Sequence, residues 1–323
     1  MPELNKLNAR IYSRLGQRGA IFGMAALDAA EANPDFVVLT ADLATLSGLD
    51  RYVKTYPGQF INVGIAEQNM LGMAAGLATE GFLPVATTYA TFITMRSCEQ
   101  LRHFFGYMNL KGVIIGSGAG LCQGFAGNTH YTIEDISVVR AIPNITILSP
   151  ADAGSAVKLF EIACQSENAV YMRLTGNLNC PVVYTEDTHF QIGGYNRIRQ
   201  GADICIYATG TVVTHALKAA EIMADSGVEA SVYDIYSIKP LNHAVIADAG
   251  KAKLCVTIEE HNTIGGLGAA IAEILSQEGN MPPLLRLGIH DEFDLAGSYE
   301  GLLKQNRLMP EQLAEDILTH LSK

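Results

Sequence analysis

The feature that most constrains this chain is the alternation of short β-rich runs with longer helical stretches. FVVLT (36–40), VIIG (113–116), ITILS (145–149) and AVYMRL (169–174) are almost continuously apolar, and between them lie helical patterns such as AIFGMAALDAAEA and DAGSAVKLFEIACQ. Strands apolar on both faces have to be covered on both faces. The alternation therefore predicts an α/β fold, a mostly parallel sheet flanked by helices. After NCPVVYTEDTHFQIGG (179–194) the rhythm restarts with ADICIYATG, THALKAAEIMADSG, VEASVYDIYSI, AKLCVTIEE and GGLGAAIAEILSQE. The restart predicts two α/β domains, residues 1–185 and 186–323, and 323 residues is long for a single core.

Charge and composition exclude several functions. The net charge is −11 and no Lys/Arg-rich block occurs, which argues against a nucleic-acid or anionic-membrane surface. Charged residues make up only 17% and the mean hydropathy is +0.18. Such an apolar chain is expected to bury surface against a partner. The six cysteines form no CxxC pair and no zinc-site spacing, as expected of buried, reduced thiols in a cytoplasmic protein. MPELNKLNAR carries no apolar signal core, and no run is long and gap-free enough to span a bilayer.

Two glycine-rich stretches invite a nucleotide reading. GSGAGLCQG (116–124) follows a strand but lacks the following helix, whereas IGGLGAA (264–270) opens a helix and fits GxGxxG only in part. Close packing or a tight turn accounts for either. No GxxxxGK[ST] loop occurs, so phosphate binding by a P-loop is excluded.

A distributed constellation is more specific. INVGIAEQNMLGMAAGLATEGFLPV (61–85) is small or apolar almost throughout, yet Glu67 stands near its front. Burying an isolated carboxylate costs several kcal/mol, so Glu67 either points to solvent or meets something that needs it. TADL (40–43) places Asp42 at a strand end, PVATTYATF (84–92) brings Tyr89 and Phe92, RSCEQLR (96–102) follows, and GNTHYTIEDI (127–136) places His130 in a loop. Singly, each has a plain structural reading. Asp42 reads equally as a helix cap, Tyr89 and Phe92 as core aromatics, His130 as a satisfied loop histidine, and Arg96 with Glu99 as a surface ion pair.

In this order and spacing, ADL, GIAEQ, the aromatic pair, R-x-x-EQ-x-R, THxxxED and EEHNTIGGLG resemble the carboxyl-terminal half of transketolases. The resemblance is strongest to the smaller subunit of split bacterial transketolases. It implies a pyrimidine-binding domain followed by a transketolase carboxyl-terminal domain, and thiamine diphosphate with Mg²⁺ as cofactors. It implies that Glu67 hydrogen-bonds the aminopyrimidine, favouring the imino tautomer that takes the thiazolium proton. Phe92 would stack on the pyrimidine with Tyr89 beside it, Arg96 and Asp42 would stand near the cofactor, and His130 would face the reacting carbonyl. The GDG motif that holds diphosphate and Mg²⁺ in such enzymes is absent. The resemblance therefore implies no metal ligand from this chain, and a large subunit carrying GDG in an α2β2 heterotetramer.

The implied activity is transfer of a two-carbon ketol unit from a ketose to an aldose phosphate. Deoxyxylulose phosphate synthases and 2-oxo acid dehydrogenase β-subunits are the alternatives. Three positions depart from ordinary transketolases: Ala126 replaces an aspartate that contacts a sugar hydroxyl, Gly118 a phosphate-binding histidine, and Gly176 an arginine at the sugar phosphate. Losing a charge-assisted contact costs about 1.5–3 kcal/mol. Either the large subunit or a shifted side chain such as Arg173 supplies the contacts, or the donor is an unusual ketose.

Overall fold

In the computed structural model, which describes residues 4–322, the apolar runs become strands of two sheets. The first half of the chain supplies β1 (Phe36–Thr40), β2 (Phe60–Asn62), β3 (Leu83–Tyr89), β4 (Val113–Ser117), β5 (Thr146–Leu148) and β6 (Val170–Leu174). The second supplies β7 (Asn196–Arg199), β8 (Ile204–Ala208), β9 (Ala230–Asp234), β10 (Ser237–Lys239), β11 (Leu254–Asn262) and β12 (Leu284–Ile289). The sheet orders are β10-β5-β6-β4-β3-β1-β2 and β12-β11-β8-β9-β7. All pairings are parallel except β10 with β5 and β7 with β9. Two mostly parallel sheets flanked by helices are what the alternation predicts. Every residue of β1, β3, β4, β6, β8 and β9 is buried, as expected of strands covered on both faces.

The two halves are not separate. β10 belongs by sequence to the second half, yet it pairs with β5 at the edge of the first sheet. The linker is fixed as well. Asp152 caps the helix Ala153–Gln165, with Ser155 N–H donating to its Oδ1 at 2.7 Å, while its Oδ2 accepts the N–H groups of Val183 and Tyr184 at 2.8 and 2.9 Å. One carboxylate thus starts a helix and anchors the chain as it leaves the first sheet; the cap alone is worth about 1 kcal/mol. Gly16 interrupts the helix Lys6–Ala20 with φ of 69°, and a Cβ there would lie 2.5 Å from the Asn177 carbonyl oxygen. Only glycine admits that approach. No helix among the described residues is long and apolar enough to cross a membrane.

Arg173, expected near the substrate, is buried and paired within the chain. It is 0% exposed, and its Nε donates to Asp135 Oδ1 and Oδ2 at 3.1 and 2.9 Å. Its Nη2 donates to the Glu260 carbonyl oxygen at 2.7 Å, and the Tyr171 hydroxyl donates to Asp135 Oδ2 at 2.8 Å. The side chain points from β6 into the junction with β11, where Nε and Nη2 are paired and Nη1 has no partner among the described residues. Arg173→Ala should therefore act on stability, because it leaves the Asp135 carboxylate buried without its cation. We expect a loss of about 3–5 kcal/mol in urea unfolding of the chain. A changed KM for the donor with unchanged stability would return Arg173 to the substrate site.

Candidate active site

The site residues gather at the carboxyl ends of β1, β2, β3 and β4. The chain steps from β1 to β2 on one side and then to β3 on the other, so β1 is the point at which strand order reverses. Crevices outside such points are where open α/β sheets bind ligands. Asp42 follows β1 in a turn with φ of 59°; its N–H donates to Asn62 Oδ1 at 3.0 Å, and Asn62 Nδ2 donates to Asp42 Oδ1 at 3.3 Å. It is exposed and caps no helix. Asn62, whose Oδ1 also accepts the Gly64 N–H, braces the turns after both β1 and β2. Its place directly before VGIAEQ was the only sequence cue to this role.

Glu67 begins the helix Glu67–Thr79, where the helix dipole favours a negative charge. It is 3% exposed. Its Oε1 accepts from Arg96 Nη1 at 2.8 Å, while Oε2 has no hydrogen-bond partner among the described residues. The arginine pairs with Glu67, not with Glu99. The five-residue π-helical turn Phe92–Arg96 brings its two ends together, so the Arg96 guanidinium carbon lies 4.2 Å from the centroid of the Phe92 ring. Single π-helical turns of this kind occur frequently at functional sites. Gln68 Nε2 donates to the Arg96 carbonyl oxygen at 3.1 Å and locks the turn to the helix.

Three rings complete the group. The Phe92 centroid lies 6.0 Å from Tyr89 and 5.4 Å from His130, and Tyr89 and His130 are 6.1 Å apart. Tyr89 is buried, whereas Phe92 and His130 are half-buried and form the open side of the cluster. Thr129 Oγ1 lies 2.9 Å from His130 Nδ1. When the hydroxyl donates, the proton sits on Nε2, which is then a donor towards the cleft. The structure thus brings Glu67, Arg96, Tyr89, Phe92 and His130 together, while Asp42 stays at the end of β1, bonded to Asn62.

The glycine-rich stretches receive carboxylates from the chain itself. Glu259 accepts the Leu267 and Gly268 N–H groups at 2.6 and 2.7 Å, which fills the N-terminus of the helix Leu267–Leu275. Glu260, next on β11, accepts the Leu121 N–H at 2.6 Å and the Tyr299 hydroxyl at 2.7 Å. Side chains at Gly266 and Gly120 would collide with these carboxylates, so close packing accounts for both glycine clusters. Burial pushes both carboxyls up to about 7, against the pull of the N–H donors on Glu259 and of Tyr299 and Arg173 on Glu260. Burial also pushes the neighbouring His261 imidazole down to about 4.

The three departures have packing causes at two positions. Gly118 has φ of 63°, and a Cβ there would lie 2.7 Å from Gln123 Cγ; a Cβ on Gly176 would lie 2.8 Å from Gln17 Cγ. Buried glutamines occupy the space that longer side chains would need. Ala126 is half-buried in the turn leading to His130.

Comparison with known proteins gives the family. Residues 18–181 match the model of the transketolase pyrimidine-binding domain, and residues 193–313 match that of the transketolase C-terminal domain. A putative transketolase C-terminal section from Methanocaldococcus jannaschii is 35% identical over 94% of this chain and 95% of its own length. The 6-deoxy-6-sulfo-D-fructose transketolase subunit SqwH of a Clostridium species is 36% identical over 89% of each chain. A split-gene transketolase solved as an inactive β4 tetramer superposes with a TM-score of 0.87 at 35% identity, covering 95% of this chain and 98% of that one. The chain belongs to the transketolase family, as the carboxyl-terminal, small subunit of a split transketolase.

Proposed function

We propose that this chain supplies half of the active site of a cytoplasmic transketolase that uses thiamine diphosphate and Mg²⁺, completed by a large subunit in an α2β2 heterotetramer. The enzyme moves a two-carbon ketol unit from a ketose to an aldose phosphate. Glu67 carries the reading, because a buried carboxylate with one oxygen paired and the other free, beside a half-exposed phenyl ring, fits an aminopyrimidine. Bound thiamine diphosphate supplies the carbanion equivalent that breaks and forms the bond next to a ketose carbonyl. Glu67 Oε2 would share a proton with a ring nitrogen, and Arg96 keeps the carboxylate oriented through Oε1. Phe92 offers its free face to the ring, an offset contact worth about 0.5–1.5 kcal/mol beyond burial. His130 donates to the substrate oxygen as charge develops there. Asp42 stands at the rim, where the partner would close over it.

The 323 residues contain no GDG motif, so the diphosphate and Mg²⁺ fall to the large subunit. The inactive β4 assembly of the split-gene relative accords with such a half-site. The chain alone should show no micromolar binding of thiamine diphosphate in titration calorimetry with Mg²⁺, and no ketol transfer. Micromolar affinity without a partner would defeat the missing half.

Glu67→Gln should leave the fold intact and slow activation of the cofactor. The loss expected for one preorganised polar contact is about 10²–10³ in kcat, roughly 2.7–4 kcal/mol. Exchange of the thiazolium proton in the reconstituted complex, followed by NMR, reports the step directly. Exchange at the wild-type rate would remove Glu67 from the mechanism.

The donor is an unusual ketose. This chain presents no cation at Gly118, Ala126 or Gly176, and Arg173 is committed to Asp135. A relative at 36% identity acts on a sulfonated ketose, a donor without the standard phosphate. A site lacking the groups that read fructose 6-phosphate gains little from it. In a comparison of kcat/KM at one fixed acceptor, 6-deoxy-6-sulfofructose or another nonstandard ketose should exceed fructose 6-phosphate. Ala126→Asp should then improve fructose 6-phosphate; Gly118→His is no clean test, because Gln123 occupies its space. Fructose 6-phosphate as the best donor of the wild-type enzyme would end this proposal.

A further inference from the structure

We propose that Glu260 is a positioning residue for His130, acting through the backbone of the loop 118–134. The inference rests on the reading that His130 touches the substrate. His130 lies on the outer part of that loop, beside exposed Asn128 and Thr129, and its one side-chain hydrogen bond is to its neighbour Thr129. Its direction is therefore set by the loop that carries it together with the Tyr89 and Phe92 rings it packs against.

The loop closes on itself where the Thr132 N–H donates to the Gly120 carbonyl oxygen at 3.1 Å. Leu174 and Asn177 of the first half hold it at Ala119 and Cys122, and four further anchors come from the second half of the chain. Glu260 Oε1 accepts the Leu121 N–H, and the Gly297 N–H donates to the Gly124 carbonyl oxygen at 3.0 Å. The Tyr131 hydroxyl donates to the Asp294 carbonyl oxygen at 3.1 Å, and the Asn262 N–H donates to the Ile133 carbonyl oxygen at 2.7 Å.

Glu260 is the one anchor contributed by a side chain of the second half. It meets an amide that is buried, and a buried N–H without an acceptor is strongly disfavoured. The Tyr299 hydroxyl donates to Oε2 and fixes the carboxylate from its other side. Gly120, with φ of 63°, leaves the space the carboxylate enters; a Cβ there would lie 2.2 Å from Glu260 Oε1. Geometry on both sides of Glu260 thus converges on the root of the His130 loop.

Removing the carboxylate frees the loop root, whereas an amide keeps it. In Glu260→Gln the side-chain oxygen still accepts the Leu121 N–H, and its NH₂ donates to Tyr299, whose hydroxyl then turns to Thr211, 3.3 Å away. Two measurements separate positioning from general stability: steady-state kinetics of the enzyme reconstituted with its large subunit, and hydrogen–deuterium exchange of the full chain. Glu260→Ala should lower kcat about tenfold with little change in the donor KM, and should speed exchange in 118–134 about tenfold with the helix Glu67–Thr79 unchanged. Glu260→Gln should restore both to near wild type. Unchanged kcat and unchanged exchange in Glu260→Ala, or a Gln variant as impaired as Ala, would overturn the proposal.

If Glu260→Ala does not fold, Tyr299→Phe removes the donor that aligns Oε2. It should speed exchange in the same segment, and no change there would likewise overturn the proposal. His130→Ala distinguishes the two layers of the argument. Unimpaired transfer in that variant defeats the role of His130 while leaving the exchange result standing. Abolished transfer in His130→Ala with an unaffected Glu260→Ala defeats the role of Glu260 alone.

Discussion

A charge taken out of water has to be met by partners, and the junction between the two sheets is arranged around that requirement. Arg173 on β6 holds Asp135 with its Nε and the β11 backbone at Glu260 with its Nη2. The same strand sends Glu259 and Glu260 in opposite directions, as the alternation of side chains along a strand dictates. Each carboxylate enters one glycine-rich turn, Glu259 at the start of the helix Leu267–Leu275 and Glu260 at Leu121. The two glycine clusters are a consequence of the buried charges, since no side chain fits where the carboxylates lie. A strand of the second sheet therefore organises a loop of the first, the one that carries His130.

Saturation separates these carboxylates from Glu67. Both oxygens of Glu259 and both of Glu260 accept hydrogen bonds from the chain. Glu67 is almost as buried, yet only Oε1 is used. Its one partner among the described residues is a half-exposed arginine braced against Phe92, which leaves the other oxygen without one. In sequence, EEHNTIGGLG looks at least as chemical as GIAEQ. The open valence shows where a ligand is needed.

How much was legible follows from what each signal depends on. The buried parallel strands were plain, because an apolar run covered on both faces needs no partner information to recognise. β3 was harder, since Pro84 opens the run and Thr87 and Thr88 interrupt it, although all seven of its residues are buried. The antiparallel return of β10 to the first sheet was not legible at all, because a three-residue edge strand carries no periodicity that names its neighbour. Among the site residues, Glu67 stood out by contrast with its apolar surroundings, and the Tyr89, Phe92 and His130 group by spacing. The pairing of Arg173 was hidden for a related reason: a lone arginine at a strand end names no partner, and only the fold reveals the aspartate opposite it. Asn62, Glu259 and Glu260 are visible as residues, but the backbone amides they accept from are not identified by side-chain patterns.

The same logic bears on specificity. Gly118 and Gly176 are not simply residues with their side chains deleted. Gln17, buried beside Gly176, accepts that residue's N–H at 2.7 Å and donates to the Pro150 carbonyl oxygen at 2.9 Å, so the amide is part of the packing. Gln123 occupies the corresponding space at Gly118, where the left-handed backbone itself disfavours a side chain. Restoring a longer residue at either position has to displace a buried glutamine, and at Gly176 the displaced amide would lose both of its hydrogen bonds. Ala126 lies in a less crowded turn and is free of that constraint. Two of the three positions expected to meet the donor are thus held by core packing, and of the three only Ala126 is open to a substitution that displaces no buried glutamine.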